Sequence, residues 1–136
     1  MIVADTCLVV HLFNETQLTG IAQKIQKKDA SWIFPPLWQE EYANVISKLA
    51  RKESRDIHEV IKHFSYVLDE LRGCEIAVDS RKALKISIEY KISVYDAHFV
   101  ALALDFDITL ITEDKEVLKN CKGIAFSMND FLKKDS

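Results

Sequence analysis

Glycine is scarce in this chain, at three residues in 136, and proline is scarcer, at two. No phosphate-cradling loop, dinucleotide fingerprint or GxSxG elbow appears, and fibrous or low-complexity readings fail. Cysteine is limited to Cys7, Cys74 and Cys121, far apart and without a CxxC pair. They read as reduced, mostly buried thiols of a cytosolic protein, not as a disulfide framework. No apolar stretch approaches the ~18–20 residues of a membrane span. The opening MIVADT enters a strand-like run with no charged segment ahead of an apolar one, so a soluble, cytoplasmic chain is expected. His11, His58, His63 and His98 form no HExxH or other close ligand pair and read as ordinary surface or packed histidines. A cationic excess is missing too: 18 Lys and Arg stand against 21 Asp and Glu, a net charge of −3. That balance is not the usual footprint of phosphate binding. It does not exclude a phosphate-handling enzyme, because a site that gathers acids around metal ions is more acidic without its ions than with them.

What is present is enough for a core. Apolar residues are 49% of the chain, and the length fits one domain spanning 1–136. Short apolar runs are expected as strands at 1–4, 31–34, 75–78, 108–111 and 124–126. Helical spacing is expected at 6–14, 18–28, 37–52, 56–71, 79–90, 94–104, 114–120 and 129–133. Strands alternating with helices predict an α/β fold with a mainly parallel sheet of about five strands. Such sheets gather ligands at the carboxyl ends of their strands, which directs attention to Asp5, the Asp96 region and Asp114.

Four carboxylates are candidates for chemistry. Asp5 ends the first strand and is either a helix N-cap or a metal ligand. On a helical wheel of roughly 100° per residue, Glu41 falls between Leu37 and Val45, inside an apolar arc, whereas Glu40 falls with Asn44 and Ser47 in the polar arc. A carboxylate aimed at a core must be paired, protonated or metal-bound. Asp96 lies in the first turn of VYDAHFVALAL, a segment apolar nearly all round, which predicts a buried helix. Asp114 follows ITLI and Thr112-Glu113 and is either a helix cap or a ligand; Glu113 is expected to be the more exposed of the two. Four acids at one sheet edge would repel one another. Mg²⁺ or Mn²⁺, hard cations that prefer oxygen donors, would relieve that and could activate water for in-line attack on a phosphodiester.

The runs IVADT (2–6), PPLWQEEYANVISKL (35–49), SVYDAHFVALA (93–103) and LITEDKEVL (110–118) resemble the acid-bearing segments of PIN-domain proteins, and the resemblance spans the chain. The lone domain resembles the VapC-like toxins of toxin–antitoxin pairs. The resemblance implies a three-layer α/β/α fold and a metal-binding quartet of Asp5, Glu41, Asp96 and Asp114; of these Asp114, which could equally be a helix cap, is expected to bind a metal least directly. It implies support from Thr6, Asn44 and Thr112. It further implies cleavage of RNA with Mg²⁺ or Mn²⁺, a homodimer, and a cognate antitoxin whose tail blocks the site. The alternatives are a housekeeping RNA-processing PIN nuclease and a non-catalytic PIN scaffold. A phosphoaspartate enzyme would want a second acid two residues after Asp5, where Cys7 stands.

Overall fold

The computed structural model describes residues 1–134. Its frame is a parallel sheet of four short strands, β1 (Ile2–Ala4), β2 (Trp32–Ile33), β3 (Leu110–Ile111) and β4 (Ala125–Phe126), in the order β2-β1-β3-β4. The first strand is wholly buried because it is a central one: Ile2 and Val3 pair with Trp32 and Ile33 on one side, and Val3 and Ala4 pair with Leu110 and Ile111 on the other. A continuous apolar run is what a strand covered on both faces requires.

The strand expected at 75–78 contracts to one parallel bridge between Phe34 and Glu75. Phe34 N–H donates to the Cys74 carbonyl at 3.0 Å, and Ile76 N–H donates to the Phe34 carbonyl at 2.8 Å. The pairing stops there because Asp79 is already the N-cap of the next helix. The segment therefore extends the sheet at its β2 edge for about one residue pair.

Eight helices flank the sheet among the described residues: α1 (Thr6–Phe13), α2 (Thr19–Lys28), α3 (Trp38–Glu53), α4 (Ile57–Glu70), α5 (Ser80–Tyr90), α6 (Val94–Phe106), α7 (Lys115–Asn120) and α8 (Met128–Lys133). Side-chain caps define many of their starts: Asp56, Asp79, Ser93, Asp114 and Ser127 each accept a backbone N–H from the first turn. As its sequence predicts, α6 is buried along Ala97 and Phe99–Ala103, and it packs against β1 and β3. It closes at Asp107, whose φ of +52° lies in the left-handed region, one that Asp tolerates better than most residues.

The rotation of α3 decides where Glu41 points, and an aromatic column sets it. Phe34 and Trp38 have ring centres 5.5 Å apart, Trp38 and Tyr42 are 6.0 Å apart, and Tyr42 stacks on Phe64 of α4 at 6.0 Å. Trp38 Nε1–H and Gln39 Nε2–H donate to one Glu75 oxygen at 2.7 and 2.6 Å. The buried Tyr42 hydroxyl accepts from Asn14 Nδ2 at 2.9 Å and meets His63 Nε2 at 3.0 Å. With Trp38 and Tyr42 turned into the core, Glu41 emerges at its margin.

Candidate active site

Asp5 leaves the carboxyl end of β1. Its backbone N–H donates to the Ile111 carbonyl at 3.0 Å, which continues the ladder to β3. One carboxylate oxygen accepts the Thr6 N–H at 2.8 Å, so the capping role is filled. The other accepts the Thr112 hydroxyl at 2.5 Å and lies 3.9 Å from the Cys7 sulfur. Thr112 is itself placed by its N–H bond to the Phe126 carbonyl of β4 at 3.0 Å. The opening of α1 thus sits over three adjacent strands.

Glu41 is half-buried and Glu40 exposed, the division the helical wheel predicts. Thr6 Oγ1–H donates to a Glu41 oxygen at 2.7 Å, which ties α3 to the start of α1. Asp96 is half-buried in the first turn of α6, and its N–H is capped by Ser93 Oγ at 3.0 Å. Asp5, Thr6, His11, Glu41, Asn44 and Asp96 line one open cleft of about 440 Å³. Three of the four expected acids therefore share a cleft, together with two of the three expected supporting residues. Thr112 is buried behind Asp5.

Asp114 stands apart. It is exposed, and its carboxylate accepts the Val117 N–H at 3.0 Å as the N-cap of α7. Its charge nonetheless acts on Asp5 and Asp96. The expectation that Glu113 is the more exposed of the pair is overturned. Glu113 is the half-buried one, and it accepts the Met128 N–H at the start of α8 at 3.3 Å. A helix N-terminus draws an anion inward, and no periodicity could reveal that in an irregular turn.

His11 and Cys7 also border the cleft. The sequence reading left both out, although their i, i+4 spacing on α1 puts them on one side of the helix. Burial and the Asp5 charge push the Cys7 thiol well up. It stays protonated and is no nucleophile at neutral pH.

Burial dominates the acids' titration. It raises the Asp5 carboxyl above its usual range, and the Asp114 charge adds to that, while hydrogen bonds from Thr112, Thr6 and Cys7 oppose it. Glu41 is pushed up to about 7 by burial, with Asp5 and Asp96 contributing. Asp96 is pushed up to about 6 by burial, then by Asp5, Asp114 and Glu116. A carboxyl whose folded value exceeds its unfolded value binds more protons in the fold, so its stabilising contribution is lost as pH rises through the folded value. The ion-free chain is therefore expected to melt highest near about pH 4–5 and to lose several degrees by about pH 8. Calorimetric melting across that range checks this, and a flat profile for the Glu41→Gln/Asp96→Asn double variant would assign the slope to these two groups.

Among the described residues no Lys or Arg pairs with any of these acids. Among the described residues no three His, Cys, Asp or Glu side chains converge tightly enough to hold an ion as they stand. The donor chemistry still fits a hard divalent cation: hard carboxylate oxygens on one cleft, without a paired Lys or Arg among the described residues, and raised in pKa by burial and then by one another. Asp5, Glu41 and Asp96 would hold it.

The comparisons with known proteins agree with this frame. Residues 2–123 match the family profile described as PIN domain. No curated protein sequence matches the chain. Among solved structures, the crystal structure of PAE2754 from Pyrobaculum aerophilum superposes with a TM-score of 0.71 at 21% identity, covering 98% of this chain and 94% of that one. That likeness speaks to the fold; the family match, over most of the chain, decides membership. The chain belongs to the PIN-domain family.

Proposed function

We propose that this chain is an endoribonuclease that uses Mg²⁺ or Mn²⁺, and that it acts as the toxin of a toxin–antitoxin pair. A PIN domain suggests a nuclease. The observation that carries the reading further is the cleft itself, lined by Asp5, Glu41 and Asp96, which among the described residues pair with no Lys or Arg. A fold gains no stability from buried, unbalanced acids, so a ligand of opposite charge is the economical explanation.

A divalent ion held by these acids would supply an activated water and neutralise charge that builds on the phosphate during in-line displacement. The chain's own residues do the rest. Thr112 and Thr6 fix Asp5 and its backbone turn. Thr6 also holds Glu41 in place. Glu41, whose carboxyl burial pushes up to about 7 in the ion-free chain, would bind the ion in its ionised form, so that ion binding releases a proton near neutral pH. Asp114 acts at a distance through its charge, or through water, since its carboxylate is engaged in capping.

RNA needs a path across this acidic face. On α3, Lys48 and Lys52 lie in nearly the same helical direction as Glu41, both exposed and outside every ion pair among the described residues. They offer phosphate contacts leading away from the cleft. In this reading the partners are an RNA substrate, a second copy of the chain and a cognate antitoxin. No helix among the described residues is long and apolar enough to cross a membrane.

The test is direct. Purified chain is expected to cut RNA with Mg²⁺ or Mn²⁺, to stop when a chelator is added, and to resume when the ion is restored. Products should carry 5′-phosphate and 3′-hydroxyl ends. Cleavage that persists through exhaustive chelation would defeat the metal assignment. Absence of ion binding by calorimetry at neutral pH would favour a non-catalytic scaffold.

A further inference from the structure

We infer that His11 contacts the substrate, its Nε2–H donating to a non-bridging oxygen of the RNA phosphate that enters the acidic cleft. The inference rests on the nuclease reading above and adds a residue that reading does not use.

The cleft poses a problem of charge. A phosphodiester is an anion, and no Lys or Arg lines the cavity. Hydrogen-bond donors must meet the phosphate oxygens that no metal ion meets. Thr6 has given its hydroxyl proton to Glu41 at 2.7 Å. The Cys7 thiol faces Asp5 at 3.9 Å. Two polar donors remain on the lining, His11 and Asn44. Asn44 is exposed, whereas His11 is half-buried and held.

The hold comes from the turn that follows α1. His11 Nδ1 lies 2.8 Å from Thr16 Oγ1. Thr16 is fixed in turn: its N–H donates to Thr19 Oγ1 at 2.9 Å, and its oxygen accepts the Leu18 N–H at 3.1 Å. Thr19 spends its own hydroxyl proton on the Asn14 carbonyl at 2.7 Å. The Thr16 proton then has two acceptors within reach, His11 Nδ1 at 2.8 Å and Thr19 Oγ1 at 3.4 Å. The shorter distance favours His11. This network assigns the acceptor role to Nδ1 and leaves the ring proton on Nε2.

Among the described residues no hydrogen bond engages that Nε2. Burial keeps the imidazole below its usual pKa against the pull of Glu113, so the ring is neutral and its tautomer matters at neutral pH. A donor with a fixed tautomer and a fixed ring plane loses little freedom when a phosphate oxygen arrives. Two threonines and a turn that orient one imidazole at the rim of an acidic cleft are a positioning device in search of an anion.

The experiment compares the intact parent chain with His11→Leu, His11→Gln and Thr16→Val. The probe is a fluorescently labelled, mixed-sequence single-stranded RNA with Mg²⁺, read by anisotropy for binding and by gel for cleavage. His11→Leu is expected to weaken binding and raise KM roughly 10-fold or more, the size of a hydrogen bond to a charged group, with kcat much less affected. His11→Gln, whose terminal amide can reach near the Nε2 position, is expected to recover most of the loss. Thr16→Val is expected to fall between. Melting temperatures identify any variant that fails to fold, and a merely structural His11 would not separate Gln from Leu in RNA affinity. Parent-like binding and KM in a folded His11→Leu variant would overturn this assignment alone. Parent chain that neither binds nor cuts RNA would overturn the nuclease reading and this inference with it.

Discussion

Asp5→Asn is expected to lose cleavage by about 10²–10³-fold or more, the loss seen when one preorganised charged or polar group is removed from an active site. It is also expected to melt higher than the parent when no divalent ion is present at neutral pH. Both effects have one cause. Asp5 is a carboxyl that burial has already pushed above its usual pKa, and among the described residues no Lys or Arg pairs with it. Asparagine keeps an oxygen for the Thr6 N–H and removes the charge. Its amide can also donate to Thr112 Oγ1 once that hydroxyl turns. Asp96→Asn should behave alike, since its pKa is raised by burial and by Asp5. Cleavage assays paired with thermal unfolding, with and without Mg²⁺, check both effects. Cleavage by both variants at the parent rate would falsify the assignment of these acids. Gain of stability without loss of cleavage would make them surplus charge and not machinery.

Trp38→Ala is the second large effect, and it falls on stability. Trp38 is only 1% exposed and lies in the middle of the aromatic column that orients α3. Large-to-small changes of this kind cost about 3–5 kcal/mol. At this chain length that corresponds to a melting temperature lower by roughly 10–20 °C. Glu75 would lose its partner at 2.7 Å but keep Gln39 at 2.6 Å, so the cavity dominates over the lost hydrogen bond. Trp38→Phe should cost distinctly less, because it retains most of the ring volume. Denaturant melts of the two variants separate the terms. Equal losses in both would place the weight on the indole N–H instead.

The sequence carried more of the fold than of the site. Alternating apolar runs and helical spacing placed the α/β order, and the buried α6 could be read from its apolar circumference. Glu41 was separable from Glu40 because a helix converts sequence position into direction. Glu113 and Asp114 were not separable in the same way, since they sit in a turn, and their exposures came out reversed. The strand at 75–78 shrank because a pattern of apolar residues reports burial, not pairing length. The hydroxyl bonds from Thr112 to Asp5 and from Thr6 to Glu41 join residues 107 and 35 positions apart; no local pattern encodes such partners. His11 was hidden for a related reason: its significance lies in the Thr16 and Thr19 network, not in any motif.

The central place of β1 also sets an order of events during synthesis. Val3 pairs with Leu110 and Ala4 with Ile111, so β1 waits for a strand far along the chain before both its edges are paired. Pairings this distant form slowly, after a long loop has closed. Until the ribosome has delivered β3 and Thr112, Asp5 lacks the hydroxyl that holds it. A growing chain therefore carries Asp5 without its Thr112 partner, and the acidic cleft takes its final form only once β3 has joined the sheet.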